Sequence, residues 1–181
     1  MPLEVTPLPP SPNPPLEALF EATFTASDGP VEGTMIGKLV RTLLAHTSPE
    51  DLYVFAVHDA GRPIAGAVFS RLRYSDDPRT VFILSPMAVV PDRQSQGVGQ
   101  MLLRRALDQL RSAGVDAALT YGAPSYYGQV GFAPMPQDQA APPLPLSQPI
   151  GWIGQSLTSS PLLPLRGSCV CVDALNDPNI W

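Results

Sequence analysis

The sequence predicts a mixed α/β fold, a mostly antiparallel sheet with one parallel pair and helices on both faces, and three observations carry that expectation. Apolar runs across residues 52–90, broken at Asp59-Ala60-Gly61 and Ser75-Asp76-Asp77-Pro78, read as an antiparallel meander of three strands. Residues 97–113 are strongly amphipathic at helical spacing. Residues 115–121 then return as a strand, parallel to the one before the helix because a helical crossover joins them. A chain of 181 residues is one domain's worth. We expect a lead-in over 1–14, a core over 15–135 and an extension over 136–181 packed on that core.

Taken in order, residues 2–15 hold seven prolines and form an extended lead-in with a short edge strand near residues 3–6. Asn13 followed by Pro14 reads as a helix N-cap with proline in the first turn. Leu16, Leu19, Phe20 and Phe24 mark the buried face of that helix, and residues 26–30 read as a loop. In a second helix Ile36, Leu39, Val40, Leu43 and Leu44 form the apolar stripe, with Lys38, Arg41 and His46 turned outward. The strands are expected at 52–58, 63–74 and 80–90. In the helix over 97–113, Leu102, Leu103, Ala106, Leu107 and Leu110 make the buried face, and Gly114 stands where a left-handed C-terminal residue belongs. Residues 139–165 carry no charge and are rich in Pro, Gly and Ser, yet Leu144, Leu146, Ile150, Trp152 and Ile153 are too apolar for a solvated tail. An irregular, ordered extension covering part of the core is expected there, with a late strand near 168–172.

Composition narrows the function. Hydrophobic residues make up 44% of the chain, enough for a buried core, whereas charged residues make up only 15%. With 11 Lys+Arg against 16 Asp+Glu the net charge is −5, which argues against a general nucleic-acid binder, since such a protein needs a basic face. Cys169 and Cys171 stand too close along one strand for an unstrained disulfide, and His46 and His58 are the only histidines, so no metal site is expected. The longest apolar stretch, residues 81–90, is interrupted by Ser85 and Pro86 and is too short to span a bilayer. No basic-then-apolar leader opens the sequence, and a cytoplasmic protein without membrane partners is expected.

The chemistry concentrates between Ile83 and Phe132. An apolar strand ends in Met87-Ala88-Val89-Val90-Pro91 and leads into Asp92-Arg93-Gln94-Ser95-Gln96-Gly97-Val98-Gly99-Gln100, with the glycines at the start of the helix. Backbone without side chains there approaches a ligand closely, and the first-turn N–H groups point outward with the positive end of the helix dipole, as a phosphate or pyrophosphate requires. Plain turn geometry explains the same glycines. A P-loop is excluded because Gln100 and Met101 follow Gly99. A dinucleotide fingerprint is excluded because Leu102 replaces its third glycine and Leu119-Thr120 occupy the place of its acidic residue.

What remains is Gln-x-x-Gly-x-Gly over Gln94 to Gly99, and, downstream, Tyr126-Tyr127-Gly128-Gln129-Val130-Gly131-Phe132, a Tyr-x-x-x-Gly-Phe motif. In these motifs and their spacing the chain resembles the GNAT superfamily of acetyl-CoA-dependent N-acetyltransferases, most of all its small bacterial YhbS-like branch. The resemblance implies a twisted sheet in which the strand over 83–90 splays from the strand over 115–121. It implies that the pantetheine arm of acetyl-CoA pairs with the main chain of Met87, Ala88 and Val89, and that the pyrophosphate sits on the loop Gln94, Ser95, Gln96, Gly97, Val98, Gly99 and Gln100. Arg93, Arg104 or Arg105 would add charge complementarity or be merely solvated.

For the reaction, the resemblance implies attack of a neutral amine on the thioester, with an oxyanion near the Val89 N–H. It makes Tyr127 the general acid for the departing thiolate; the alternative is that Tyr127 or Tyr126 only packs on the cofactor arm. No general base is assigned. The strands carry no carboxylate, Asp116 is expected to face solvent, and Glu32, His46 and His58 have no geometric support. The expected partners are acetyl-CoA, an amine of a small molecule or protein and, as one option, a second copy in a homodimer. The alternative function is a catalytically silent acetyl-CoA sensor on the same fold.

Overall fold

The first helix is set by its opening residues. In the computed structural model, which describes residues 2–181, β1 is Val5–Leu8 and α1 is Pro14–Asp28. The Asn13 side chain accepts the Leu16 N–H at 3.2 Å, while Glu17 accepts the Asn13 N–H at 3.0 Å. Two donors that a helix start leaves unpaired are thereby satisfied, and Pro14 occupies a position that needs no N–H. The expected edge strand forms two residues later than placed, with Val5 to Leu8 pairing antiparallel against Val57 to Val54. The loop expected over residues 26–30 is not there: α1 continues to Asp28, and Gly29 alone separates it from α2, Pro30–His46. Gly29 donates to the Thr25 carbonyl and accepts from the Gly33 N–H, both at 3.0 Å, so one residue ends one helix and starts the next.

The remaining elements are β2 (Leu52–Asp59), β3 (Arg62–Tyr74), β4 (Val81–Val89), α3 (Val98–Ser112), β5 (Ala117–Tyr121), α4 (Pro124–Tyr127), β6 (Ala133–Pro134), β7 (Trp152–Ser156) and β8 (Cys169–Val170). The sheet order is β1-β2-β3-β4-β5-β7-β6, with β8 pairing the end of β3. The pairing of β4 with β5 is parallel, as the helical crossover requires, and β7 runs antiparallel to both β5 and β6. Strand β7 corrects the expected irregular extension. Trp152 and Ile153 are not a loose cover; they belong to a strand inserted between β5 and β6. The late strand expected over 168–172 shortens to two residues. No helix among the described residues is long and apolar enough to cross a membrane.

The chain forms two compact units, residues 1–69 with 86–106 and residues 70–85 with 107–181. The first buries Leu16, Leu19 and Phe20 of α1 and Leu39, Val40, Leu43 and Leu44 of α2 with the apolar residues of β2. Each such side chain contributes about 1.5–3 kcal/mol when taken from water. In the second, Val81 to Leu84 and Ala117 to Leu119 are buried on both faces, and Trp152 and Trp181 pack at 6.1 Å between ring centroids. The two thiols are free and buried; burial pushes Cys169 up to about 12, so it is an inert core group.

Asp77 organises the second unit's outer turn. Its side chain is only 2% exposed and accepts Arg79 at 2.7 and 2.9 Å and the Arg166 N–H at 3.1 Å. Arg79 in turn donates to the carbonyls of Leu163 and Pro164 at 3.0 and 2.7 Å. The charge-free extension is thus tied down by one enclosed ion pair and its backbone bonds. The Arg79 guanidinium, followed by backbone donors, holds the Asp77 carboxyl well below the usual carboxylate range.

Asp77→Asn should therefore cost about 2 kcal/mol at pH 7, less than the loss of a fully enclosed ion pair because Arg79 keeps some contact with water. A carboxyl lowered on folding stabilises the protein above its unfolded value of about 4 and loses that contribution as pH falls toward the folded value. Urea denaturation should show the wild-type advantage over Asp77→Asn at pH 7 shrinking below about pH 4.

Candidate active site

The first unit holds the segment from the end of β4 to the start of α3. Ala88 is buried, and its neighbours Met87 and Val89 are half-buried on the opposite side of the strand. After Val90 a single turn over Pro91–Arg93 leads into the loop. The Gln94 side chain donates to the Val89 carbonyl at 2.9 Å, and Gln96 donates to the Asp92 carbonyl at 3.0 Å, so the loop's own side chains brace it from behind. Ser95 has φ +60 and Gly97 φ +80, with Gln96 between them outside the left-handed region. Such alternation of backbone hand is the pattern from which anion-binding concavities are built. A non-glycine residue held at φ +60 costs of order 1 kcal/mol, and such strain gathers at ligand sites.

Helix α3 follows immediately. The Gly97 carbonyl accepts the Met101 N–H at 3.0 Å, so the amides of Val98 and Gly99 lie ahead of the helix's own ladder. That first turn carries no acidic residue, whereas those of α1 and α2 contain Glu17 and Glu32. The positive end of the α3 dipole is therefore left for an external anion. A Cβ built on Gly97 meets nothing within 4 Å, so it is the backbone conformation, not crowding, that demands glycine. Arg93 is not available as a solvated counter-charge, because it pairs with Asp59. Arg104 and Arg105 are exposed on the helix.

In the second unit the β4–β5 ladder pairs Val81 with Ala117 through to Leu84 with Thr120. There the buried Thr120 hydroxyl donates to the Leu84 carbonyl at 2.9 Å. Strand β4 continues beyond this point to Val89, with Pro86, which has no N–H, in its path. Beyond β5, Gly122 carries the chain to α4 and Tyr127. A Cβ on Gly122 would stand 2.7 Å from the Tyr127 ring, so only glycine admits that ring. The ring also meets Tyr126 and Phe132 edge-on, at 5.1 and 5.9 Å between centroids. Burial, and then the neighbouring Tyr126, raise the Tyr127 phenol above its ordinary value. Asp116 corrects an expectation. The residue is half-buried rather than free in solvent, and its carboxylate accepts the Thr80 N–H at 2.8 Å, which makes it a cap at the start of the ladder.

The family model of the Acetyltransferase (GNAT) family matches residues 15–132. The chain belongs to this family. Over 140 residues it is 31% identical to the uncharacterized N-acetyltransferase YjhQ of Escherichia coli K12, covering 75% of this chain and 77% of that one. The solved structure of the GNAT family N-acetyltransferase YhbS from Escherichia coli, in complex with CoA, superposes with a TM-score of 0.75 at 20% identity, over 97% of this chain and 91% of that one. A GNAT family acetyltransferase from Brucella melitensis, in complex with acetyl-CoA, gives 0.65 at 20% identity, over 96% and 98%. These two likenesses establish the fold.

For a GNAT chain, the expected residues fall into two sets. Met87 to Gln100 form one continuous strand-loop-helix surface in the first unit, bound together by the Gln94–Val89 bond. Tyr127 lies in the second unit, seated on Gly122. Two contributors escaped the sequence reading, Thr120 and Gly122. Thr120 stood out as the one aliphatic hydroxyl in the run 117–121, and Gly122 directly follows that run.

A buried phenol keeps its proton to higher pH, because burial penalises the phenolate and raises the value from about 10. The difference in tyrosinate absorbance between wild type and Tyr127→Phe should therefore contain no ionisation step below about pH 10. A step at pH 8–9 would contradict the enclosed ring.

Proposed function

We propose that this protein moves the acetyl group of acetyl-CoA to the nitrogen of a primary amine by direct attack in a ternary complex. The observation that carries the reading is the Ser95–Gly97 concavity opening onto an acid-free helix start, directly after a strand whose ladder with its parallel neighbour has stopped. The shape and charge suit a pyrophosphate. The main chain of Met87, Ala88 and Val89 would take the pantetheine amides as an added strand takes its neighbour. Gln94 already occupies one lone pair of the Val89 carbonyl, so that oxygen would share its acceptor capacity or release Gln94 on binding. That YhbS and the Brucella protein were solved with CoA and acetyl-CoA supports this assignment.

In the reaction the amine lone pair forms a C–N bond with the thioester carbon while the carbonyl oxygen becomes an oxyanion. The Val89 N–H is the donor assigned to that oxyanion. Collapse breaks the C–S bond, the thiolate takes a proton, and the amide nitrogen sheds one. Tyr127 is assigned as the proton donor, and its raised phenol keeps it protonated throughout the neutral range. A second reading has one observation in its favour. With Asp116 engaged by Thr80, β4 and β5 offer no carboxylate for the amine's proton, which suits a sensor that binds acetyl-CoA without turnover. Steady-state thiol release against a panel of amines separates the two.

Gly99→Glu should abolish acetyl-CoA binding in calorimetry while circular dichroism stays native, because a carboxylate would occupy the pyrophosphate position. Gly97→Asp should do the same with an added cost of about 1 kcal/mol for its left-handed backbone. Unchanged affinity in folded Gly99→Glu would remove the anion site from the loop.

Tyr127→Phe keeps the ring and removes the hydroxyl. Acetyl-CoA affinity should hardly change, while turnover falls roughly 10²-fold, or about 2.7 kcal/mol of transition-state stabilisation. Tyr126→Phe should cost much less. Near-normal turnover of Tyr127→Phe with chemistry rate-limiting would make the tyrosine a packing residue.

A further inference from the structure

Beside Tyr127, and within the second unit, lies a cavity of about 420 Å³ that the transfer reaction as described above does not use. Its walls include Tyr121, Gly122, Ser147, Gln148, Ile150 and Ile180, and the rest is the Ala123-Pro124 turn and Gly151. Gly122 is the residue on which the Tyr127 ring sits, so the cavity wall and the assigned proton donor share a contact surface. None of the described lining residues is Asp, Glu, Lys, Arg or His.

The wall is preformed. The Tyr121 hydroxyl accepts the Gln148 N–H at 2.6 Å and meets the Ser147 hydroxyl at 3.1 Å. Its ring stacks on Trp181, which in turn packs edge-on against Trp152. The Gly122 N–H donates to the Gly151 carbonyl at 3.0 Å, joining the two backbone segments that form the floor. Ile150 stands at the cavity with 77% of its surface exposed, an apolar side chain kept where a charged one would meet no steric objection.

We propose that this cavity receives the acceptor, and that the acceptor is a primary amine on an uncharged aromatic or alkyl body. The proposal rests on the acetyl-transfer reading and deepens it. A polyamine, an aminoglycoside or a lysine-rich peptide would bring further ammonium groups to a wall with no acidic side chain, where none of them finds an ion-pair partner. An apolar body needs no such partner and gains the hydrophobic term where it meets Tyr121, Ile150 and Ile180. The same uncharged lining bears on the missing base. No acidic side chain of the lining holds the ammonium form of the entering amine, so the amine reaches the thioester neutral by giving its proton to water.

The experiment measures kcat/KM for phenethylamine and for spermidine with the full chain, beside calorimetric acetyl-CoA affinity, in wild type and Ile150→Glu. Phenethylamine should be preferred at least tenfold by the wild type. Ile150→Glu, a surface substitution that leaves the fold intact, should shrink that ratio by about tenfold through added attraction for the second ammonium. Equal use of both amines, a preference for spermidine, no turnover of either, or a ratio unmoved in Ile150→Glu would overturn the proposal while acetyl-CoA binding still stands. Loss of acetyl-CoA binding in the wild type itself would overturn the transfer reading, and this proposal with it.

Discussion

A parallel ladder only four residue pairs long is the constraint on which the rest of the molecule depends. Because β4 and β5 run the same way, the chain must leave the end of β4, cross over and start again at the beginning of β5. That route forces the crossover helix to begin where β4 ends, so its N-terminal amides stand beside the strand's last residues. The ladder is bounded at both ends by side chains. Asp116 takes the Thr80 amide at the start, and Thr120 takes the Leu84 carbonyl at the finish. Past that point β4 meets Pro86, which cannot donate, and the pairing is not resumed in the four-pair register. A ladder that stops early frees main chain near a helix start, and both features that a thioester cofactor of this kind needs come from that one arrangement.

The local parts of this arrangement were legible in the sequence because they are local. The Asn13–Pro14 start of α1, the amphipathic stripe of α3 and the glycines before it are decided by residues within a few positions of one another. What was not legible depended on distant partners. The Gly29 junction looked like a loop because Ala26-Ser27-Asp28-Gly29-Pro30 has turn composition, yet helix bonds to Thr25 and Gly33 continue across it. Strand β7 was missed because glycine weakens β-propensity and its neighbourhood is rich in proline. Gly154 stands at its centre, where a Cβ would press on Leu119 at 3.1 Å, so the residue that hides the strand from a propensity reading is the one that lets it pack. Arg93 and Asp116 looked free because Asp59 and Thr80 lie 34 and 36 positions away.

The low charge of the chain takes on a meaning from these pairings. Only 15% of residues are charged, and several are spent inward or between segments rather than on a wet surface. Asp77 alone joins Arg79 and the main chain of Arg166, and Arg79 reaches on to Leu163 and Pro164. The extension over residues 139–165 has no charge of its own, so it borrows its anchoring from this turn and can present an uncharged wall elsewhere along its length. Isolated surface pairs contribute little, but one that is 2% exposed on its acidic side is held by the geometry around it.

The two proton transfers of an amide-forming reaction are therefore supplied unequally by this chain. The proposed donor is Tyr127, flanked by Gly122, Tyr126 and Phe132 and kept protonated by its burial. An acceptor carboxylate is not offered by β4 or β5, and the one that begins β5's approach is committed to the backbone. An enzyme working as proposed would depend on its substrate to arrive ready to react, since neither strand takes the amine's proton. In the proposed reaction the property that leaves out a base also narrows the acceptor. Carboxylates that would speed proton removal would equally welcome polycations, so on that proposal the lack of a base and the choice of substrate are two consequences of one uncharged surface beside Tyr127.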